Sequence, residues 1–411
     1  MQYGLIGGKL GHSFSKEIHE SIKNYQYELK ELDETTFHKF MELKDFKAIN
    51  VTIPYKEKVI PYLDYIDPAA KKIGAVNTIV NKNNKLYGYN TDYLGLKAII
   101  LKNKISVNNK SVLILGNGGT AKTATQVLKD LKCKEIKYAV LDPTENDFSF
   151  TNCYEYQDAQ VIINATPVGM YPNIYDKLID ISKFINLEAV VDVIYNPLRT
   201  PIILDAISSR LKYATGLYML VAQAVYAADI FTDTKSDYHV ISQTYNKIIN
   251  EKKNIVLIGM PSSGKTSVGK KLAKALNKKF IDTDALIEQK LGMPINKYLN
   301  EDNEPEFRRI ESLVIAEVSK ENNAVIATGG GIIKNNINID MLKSNGTIVF
   351  LDRKLTNLTP TDSRPLSNNL EKLKMLYKER YPIYLKHCDL HVKNNYKIND
   401  VIRYIIKEVT E

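Results

Sequence analysis

Two glycine-rich stretches of this chain have the residue types to hold a phosphate. "IVLIGMPSSGKTSVG" (255–269) sets Gly259, Gly264, Lys265 and Thr266 at the G-x-x-x-x-G-K-[ST] spacing, between an apolar strand and a helical pattern. Glycines there let backbone N–H groups converge on phosphate oxygens. The lysine bridges β- and γ-oxygens, and the threonine hydroxyl reaches a magnesium ion. Ser262 and Ser263 complete that loop. "LILGNGGTAKTA" (113–124) is a looser match, in which Gly116, Asn117, Gly118, Gly119 and Thr120 would bring backbone amides at a helix N-terminus onto a pyrophosphate.

Other groups follow each cradle or precede it. "FIDTD" (280–284) places Asp282 and Asp284 two residues apart at a strand end, where they are expected to point the same way. One would help hold a metal through water and the other would accept from a substrate hydroxyl. "EFRRIE" (306–311) offers arginines on a helix, suited to a two-pronged grip on a carboxylate. "ATGGGII" (327–333) is a glycine triplet after a strand, and "SRPL" (363–366) and "ERYPIY" (379–384) each add an arginine. Upstream, "GHSFS" (11–15) puts Ser13 and Ser15 on one side of an extended loop, another grip for a carboxylate. "NVTIPYK" (50–56) delivers Thr52 and Lys56 beyond a strand, "AVNT" gives Asn77 and "GYNTDYLG" gives Asp92. "HCDLH" (387–391) falls where a helix gives way to a strand, so its two imidazoles do not share a face and no metal site is expected.

The elements that must position these residues are legible as well. "YGLIG", "YELKEL" and "FKAINVTI" read as strands, "SKEIHESIKN" as a helix, and "AVNTIVNKNNKLYGYNTD" as a hairpin about Asn83-Asn84. A helix from about Tyr93 to Leu101 leads into "SVLILG", which restarts the alternation as a parallel-sheet unit with strands "KYAVLD", "VIINAT" and "AVVDVIY". Residues 217–231 form an apolar helix, and the charged stretch "NKIINEKKNI" (246–255) marks a boundary before a fresh strand.

The totals bound the answer. A chain of 411 residues has room for two or three domains. Hydrophobic content of 44% and charged content of 25% suit a soluble globular protein, and no apolar run reaches the ~20 residues of a membrane helix. The start, "MQYGLIGGKLGHS", lacks a basic region followed by a long apolar core, so no signal peptide is expected. Cys133, Cys153 and Cys388 are scattered, which implies free thiols in a reducing, cytoplasmic setting. The net charge of +9 is dispersed rather than gathered in one arm. Small anionic substrates and nucleotides, not nucleic acid or a membrane, are the expected partners.

In its order and spacing, the second set of residues resembles shikimate kinase, a small P-loop kinase, over residues 252–411. The resemblance implies ATP and Mg²⁺, with Gly259, Ser262, Ser263, Gly264, Lys265 and Thr266 about the phosphates and Lys265 catalytic. It implies Thr266 on the metal with Asp282 nearby, and Asp284, Arg308, Gly330 and Arg380 on shikimate. It also implies Arg364 in a mobile lid over ATP, within a short stretch "RPLSNNLEK". The first set resembles shikimate dehydrogenase from residue 3 to about 245, and "NATPVGM" (164–170), "DVIYNPLRTP" (192–201) and "GLYMLVAQA" (216–224) agree. That resemblance implies Lys56 and Asp92 as the catalytic pair. Ser13, Ser15, Thr52, Asn77, Asp92, Tyr195 and Gln223 would hold the substrate carboxylate and hydroxyls, and Gly116 to Thr120 with Val193 and Gly216 would line the nicotinamide cofactor. Lys16 stands where that family usually has a proline, a harmless change in a first helical turn.

The fold class implied is α/β throughout. A dehydrogenase substrate-binding domain spans 1–97, completed by helices of 217–245; a Rossmann-like dinucleotide-binding domain spans 98–216; 246–253 is a linker; and a P-loop kinase domain with a parallel sheet spans 254–411. The two resemblances together imply a bifunctional enzyme that reduces 3-dehydroshikimate to shikimate and then phosphorylates its 3-hydroxyl. Two alternatives stand beside it: a catalytically silent sensor on the same folds, and quinate/shikimate specificity in the first half. Intact Lys56, Asp92, Lys265, Thr266, Asp282 and Asp284 argue against the first, and the Ser13 and Ser15 pair favours shikimate. NADP(H) is the expected cofactor by family habit, with NAD(H) as the alternative. The family's Asn-Arg-Thr segment, whose arginine pairs with the 2′-phosphate, is replaced here by Val140, Leu141 and Asp142. A carboxylate therefore stands about where an NAD enzyme accepts the ribose 2′-hydroxyl, with Lys122 at the helix start as a candidate to reach a phosphate.

Overall fold

The structure, a computed structural model, describes residues 1–11, 13–299, 303–359 and 369–410. The chain divides into two compact units, Met1–Ile248 and Ile249–Glu411. Arg364 and most of the expected lid stretch lie outside the described residues.

The first unit holds two sheets. One comprises β1 (Tyr3–Gly7), β2 (Glu28–Glu31), β3 (Ala48–Val51), β4 (Tyr65–Ile66), β5 (Thr78–Lys82) and β6 (Lys85–Tyr89), in the order β2-β1-β3-β5-β6-β4. β5 runs antiparallel to both β3 and β6, and the two-residue turn between β5 and β6 puts Asn83 and Asn84 at φ 53° and 63°. Asparagine tolerates that left-handed geometry, which matches the twist of a hairpin.

The other sheet comprises β7 (Ser111–Leu115), β8 (Glu135–Val140), β9 (Phe148–Ser149), β10 (Val161–Asn164), β11 (Ala189–Asp192) and β12 (Lys212–Ala214). All its strands are parallel, in the order β12-β11-β10-β7-β8-β9. β7, β10 and β11 are buried along their whole length, as strands covered by helices on both faces must be. The chain winds one way from β7 to β9, then crosses to β10 and winds the other way. The carboxyl ends of β7 and β10 are therefore a topological switch point, the crevice where such sheets take their ligands.

Helix Gly216–Thr232 returns to pack on helix Thr91–Lys102. Gly95 makes the crossing close, because a Cβ there would lie 2.7 Å from the Met219 carbonyl oxygen and 3.1 Å from Gln223 Cβ. This contact carries Gln223 to the start of helix Thr91–Lys102, across 128 residues of sequence from Gly95.

The second unit has one five-stranded parallel sheet: β13 (Asn254–Ile258), β14 (Lys279–Asp282), β15 (Ala324–Ala327), β16 (Gly346–Asp352) and β17 (Leu390–Lys393), in the order β14-β15-β13-β16-β17. Alternate residues of β13 feed two cores, Ile255 and Leu257 joining Val268 and Leu272 while Val256 and Ile258 join Val314 and Phe350. Central β13 ends in the phosphate loop.

The stretch expected to link the halves is not irregular, since helix Tyr238–Lys252 runs through most of it. Its charge reflects a solvated face, and neither proline nor glycine interrupts it. The last carbonyls of a helix lack intrahelical partners, and here Lys278 supplies one. Its Nζ lies 2.8, 3.2 and 3.0 Å from the carbonyl oxygens of Asn250, Glu251 and Lys253, and 3.0 Å from Asn323 Oδ1. Lys278→Met is expected to destabilise the second unit by about 1–3 kcal/mol, the usual cost of stranding such acceptors. Urea unfolding followed by circular dichroism checks this, and an unchanged midpoint would mean that water serves those carbonyls equally well.

Candidate active sites

In the first unit, Lys56 Nζ lies 2.7 Å from Asp92 Oδ2, with both side chains largely buried. Asp92 sits in the first turn of helix Thr91–Lys102, where the helix dipole favours a carboxylate, and Asn90 caps that turn by accepting from the Tyr93 N–H at 3.1 Å. Lys56 is fixed from its backbone, its carbonyl accepting from the Val76 N–H at 2.8 Å. Next to Val76, the Asn77 amide is packed into a polar network. Its Oδ1 accepts from the Thr91 N–H (2.7 Å) and the Thr78 hydroxyl (3.0 Å), and its Nδ2 lies 3.1 Å from Thr91 Oγ1 and 3.5 Å from Gln223 Oε1. Asn50 Nδ2 supports this cluster from below by donating to the Asn77 carbonyl and to Thr78 Oγ1, and the Tyr27 hydroxyl in turn donates to Asn50 Oδ1 at 2.7 Å. His19 stacks on Tyr27 at 4.1 Å between centroids, and burial pushes its pKa down to about 3, so it is a neutral ring.

Ser13 and Ser15 do pair, Ser13 Oγ lying 3.0 Å from Ser15 Oγ, but not on an extended loop. Ser15 begins helix Ser15–Ile22, and its N–H donates to Ser13 Oγ at 3.2 Å. The helix opens one residue after Phe14 and turns both hydroxyls inward. Tyr195 joins them: its ring packs on Phe14 at 5.2 Å, its hydroxyl interacts with Ser13, and burial pushes its pKa up. Thr52 directly follows β3, its N–H donating to the Ile6 carbonyl.

The glycine-rich turn after β7 starts helix Gly119–Asp130 at Gly118, with Thr120 in its first turn. Cβ atoms on Gly118 or Gly119 would meet nothing within 4 Å, so the backbone there is open to a ligand. Val193 and Gly216 meet at the end of β11, where any side chain on Gly216 would collide with the Val193 carbonyl; β10 separates them from β7. Asp142, two residues past β8, is exposed, and Lys122 is paired with Glu57 at 2.8 Å.

Beneath this crevice lies Asp192, fully buried at the end of β11. It accepts from the Ile194 N–H (3.0 Å), Asn164 Nδ2 (3.2 Å) and the Thr200 hydroxyl. Burial raises its pKa to about 6 despite these donors.

In the second unit, Gly259 adopts φ 147° and lies so close to the Leu351 carbonyl that a Cβ would sit 2.7 Å from it; Gly264 takes φ 92°. Lys265 Nζ donates to the carbonyls of Gly259 and Met260, each at 2.9 Å. Ser262 Oγ donates to the Thr359 carbonyl, while the buried Ser263 Oγ has no partner among the described residues. Thr266 Oγ1 lies 2.9 Å from Asp282 Oδ2.

Asp282 and Asp284 do not share a strand face. The strand stops at Asp282, which caps helix Thr283–Leu291 by accepting from the Asp284 N–H at 3.1 Å. Capping, not pleating, sets the two carboxylates.

Asp284, Arg308 and Arg380 converge on the turn 329–331. A Cβ on Gly329 would lie 2.7 Å from Asp284 Oδ1, and one on Gly331 would collide with the Arg308 guanidinium. Arg380, 2% exposed, donates through Nη1 to the Gly330 carbonyl at 3.0 Å, whereas its buried Nε and Nη2 have no partner among the described residues. Arg308 is engaged with Glu304 and, at 2.9 Å, with Glu311, whose carboxyl is raised by burial and lowered in part by Arg308.

Sequence reading missed several of these groups. Thr91, Thr78 and Asn50 are buried polar residues with partners 13 or more residues away along the chain, and Glu311 is a buried carboxylate whose partner Arg308 lies one helical turn before it. A cavity of about 200 Å³ beside the phosphate loop is lined by Arg353, Asn394 and Tyr396 together with Gly264 and Ser267. Asn394 Nδ2 donates to the Ser263 carbonyl at 2.6 Å. Of "HCDLH", His387 ends helix Leu370–His387, and His391 in β17 lies 2.9 Å from Asp352 Oδ2.

A doubly wound sheet with an open glycine turn at its switch point, next to a lysine–carboxylate pair, defines the first unit as an oxidoreductase of the nicotinamide-dinucleotide type. The phosphate loop of the second defines a P-loop kinase. Comparison with known proteins makes this particular. Residues 5–79 match the model of the shikimate dehydrogenase substrate binding domain, and residues 261–410 match that of shikimate kinase. The shikimate dehydrogenase (NADP(+)) of Clostridium beijerinckii is 38% identical over 266 residues, 61% of this chain and 98% of that protein. Among solved structures, shikimate dehydrogenase 1 from Peptoclostridium difficile is 35% identical with a TM-score of 0.56, covering 60% of this chain and 98% of that one. A chorismate mutase/shikimate 5-dehydrogenase fusion protein from Clostridium acetobutylicum is 34% identical with a TM-score of 0.56, covering 60% and 96%. The chain belongs to the shikimate dehydrogenase family, followed by a domain of the shikimate kinase family; both are families of enzymes.

Asp192 yields a pH prediction. Its folded pKa, about 6, stands above the ordinary carboxyl value, so between about pH 4 and 6 the folded chain binds more protons than the unfolded one. The stabilisation this gives is complete below that window and is lost as pH rises through it. Asp192→Asn keeps an acceptor for Ile194 and Asn164 and reverses the bond to Thr200, whose hydroxyl oxygen then accepts from the new amide. The variant should gain up to about 3 kcal/mol on the native chain between pH 4 and 7. Urea unfolding of both at the two pH values measures this, and parallel pH dependences would mean the carboxyl is ionised throughout.

Proposed function

We propose that the chain catalyses two consecutive reactions, reduction of 3-dehydroshikimate to shikimate in the first unit and phosphorylation of shikimate at its 3-hydroxyl in the second. The observation that carries the reading is the Lys56–Asp92 pair at 2.7 Å, adjoining the Asn77–Thr91–Gln223 amides. A ketone that accepts hydride becomes an alkoxide and needs a proton at that oxygen. The Lys56 ammonium, held by Asp92, donates that proton and reclaims it in the reverse direction. Ser13, Ser15 and Tyr195 orient the carboxylate, and Asn77 and Gln223 the ring hydroxyls. A bound nicotinamide dinucleotide supplies the hydride, and the open backbone at Gly118 and Gly119 fits its pyrophosphate.

In the second unit, the buried nitrogens of Arg380 that have no partner among the described residues suit a carboxylate, and Asp284 accepts from the hydroxyl to be phosphorylated. ATP with Mg²⁺ supplies the phosphoryl group. The glycine cradle and the unpartnered Ser263 hydroxyl fit its phosphates, and Thr266 and Asp282 offer the oxygen donors a magnesium ion prefers. The cavity lined by Arg353, Asn394 and Tyr396 takes the nucleoside end. NADP(H) is the proposed cofactor of the first unit, following the name of the Clostridium beijerinckii relative. The exposed Asp142 and the Lys122–Glu57 pair argue for weak discrimination against NAD(H).

Full-length protein given 3-dehydroshikimate, NADPH, ATP and Mg²⁺ should form shikimate 3-phosphate. Lys56→Ala should lower the first reaction by roughly 10²-fold or more and spare the second, and Lys265→Ala should do the reverse. Comparable losses in both reactions from either change would refute two independent sites. The ratio of kcat/KM for NADPH over NADH should stay below about 10³; a larger preference would require a cation on the 2′-phosphate that Lys122 and Asp142 do not provide.

A further inference from the structure

Asn77 and Gln223 have side-chain amides, each able to present either an N–H or a carbonyl oxygen to a ligand. The network around Thr91 removes that ambiguity. The Thr91 N–H is fully buried and donates to Asn77 at 2.7 Å, which requires Oδ1 on that side. The Thr78 hydroxyl fills the second lone pair of that oxygen, at 3.0 Å. The Thr91 hydroxyl lies 3.0 Å from Thr78 Oγ1, 3.2 Å from Asn77 Oδ1 and 3.3 Å from Gln223 Oε1, so it is shared among these three side chains and ties Gln223 into the cluster. The same hydroxyl oxygen accepts from Asn77 Nδ2 at 3.1 Å. Gln223 is then fixed as well. Its Oε1 faces Thr91, one Nε2 proton goes to the Leu220 carbonyl at 3.0 Å, and the second Nε2 proton is left to a ligand. Asn77 Nδ2 gives one proton to Thr91 and makes only a long contact, 3.5 Å, with Gln223 Oε1, so its second proton is available to a ligand oxygen. A hydroxyl has one proton and two lone pairs, so this arrangement uses Thr91 as a relay between two amides carried by elements 146 residues apart.

We infer that Thr91 is a positioning residue for the dehydrogenase reaction, its hydroxyl orienting Asn77 and Gln223 so that both present N–H donors to oxygen atoms of the substrate. The inference rests on the reading of this site as a shikimate dehydrogenase and adds a residue that acts on the substrate through the two amides it holds.

The test uses the full chain and steady-state oxidation of shikimate. Thr91→Val removes the hydroxyl at nearly constant shape, and Thr91→Ser keeps it. Thr91→Val should raise KM for shikimate by roughly ten-fold or more while KM for the nicotinamide cofactor changes less than about two-fold, and Thr91→Ser should stay near the native values. Gln223→Glu keeps the acceptor for Thr91 and loses the N–H facing the ligand, so it too should raise KM for shikimate, whether or not Thr91→Val folds. The inference is overturned if Thr91→Val leaves KM for shikimate within about two-fold. It is equally overturned if both KM values rise together with no rescue by serine, or if Gln223→Glu has no effect. A native chain that does not oxidise shikimate with either cofactor would instead remove the dehydrogenase reading, and this inference with it.

Discussion

A buried backbone N–H at the start of a helix must find an acceptor, and for Thr91 that acceptor is the side chain of Asn77. The rest of the dehydrogenase site depends on this bond. It docks the first turn of helix Thr91–Lys102 against the end of the hairpin sheet, which puts the Asp92 carboxylate within reach of Lys56. It also commits the Asn77 amide, and through the Thr91 hydroxyl it reaches Gln223 on helix Gly216–Thr232. That helix is near enough only because Gly95 has no side chain. One hydrogen bond and one missing methyl group thus hold together residues from three distant parts of the sequence.

The second unit solves the same problem with a carbonyl. Gly330 O accepts from both the Tyr384 hydroxyl at 2.6 Å and Arg380 Nη1 at 3.0 Å, which holds a buried guanidinium with two nitrogens still unpaired among the described residues. The phosphate loop leans on the same turn, since a Cβ on Gly330 would lie 3.1 Å from Pro261. The buried Arg380 guanidinium and the phosphate loop therefore share one wall, so under the proposed function the spacing between acceptor hydroxyl and phosphoryl donor would be set by backbone rather than by flexible side chains. Preorganisation of this kind is the main resource of phosphoryl transfer.

Most of the fold was legible because fully buried parallel strands leave continuous apolar runs, as in "SVLIL" and "NIVLI", and because the hairpin turn requires residues such as Asn83 and Asn84. The phosphate loop was legible for a different reason, because its chemistry demands particular residue types at a particular spacing, whereas the Lys56–Asp92 pair followed from the resemblance to shikimate dehydrogenase. What escaped was local geometry at element ends. A strand period applied to "FIDTD" fails because Asp282 is a good cap and starts a helix one residue sooner than the alternation implies. Ser13 and Ser15 were read as a loop because nothing in "GHSFS" announces a cap, and the hydroxyl pair forms across a helix start. Polar residues 246–253 suggested a linker, yet polarity alone does not break a helix. The Thr91 relay was invisible because its contacts join positions far apart, and the burial of Arg380, a residue singled out by the resemblance to shikimate kinase, is a tertiary property that its sequence neighbours do not announce.

Lys265 has one more consequence. Its ammonium donates to the carbonyls of Gly259 and Met260, each at 2.9 Å, so the loop's own backbone orients the cation. An incoming anion must displace both contacts before it gains the lysine. A polyphosphate repays the displacement several times over. That exchange favours a multiply charged ligand, which can engage the lysine and the loop's N–H groups together, a form of selectivity exercised before any contact with the base or the sugar.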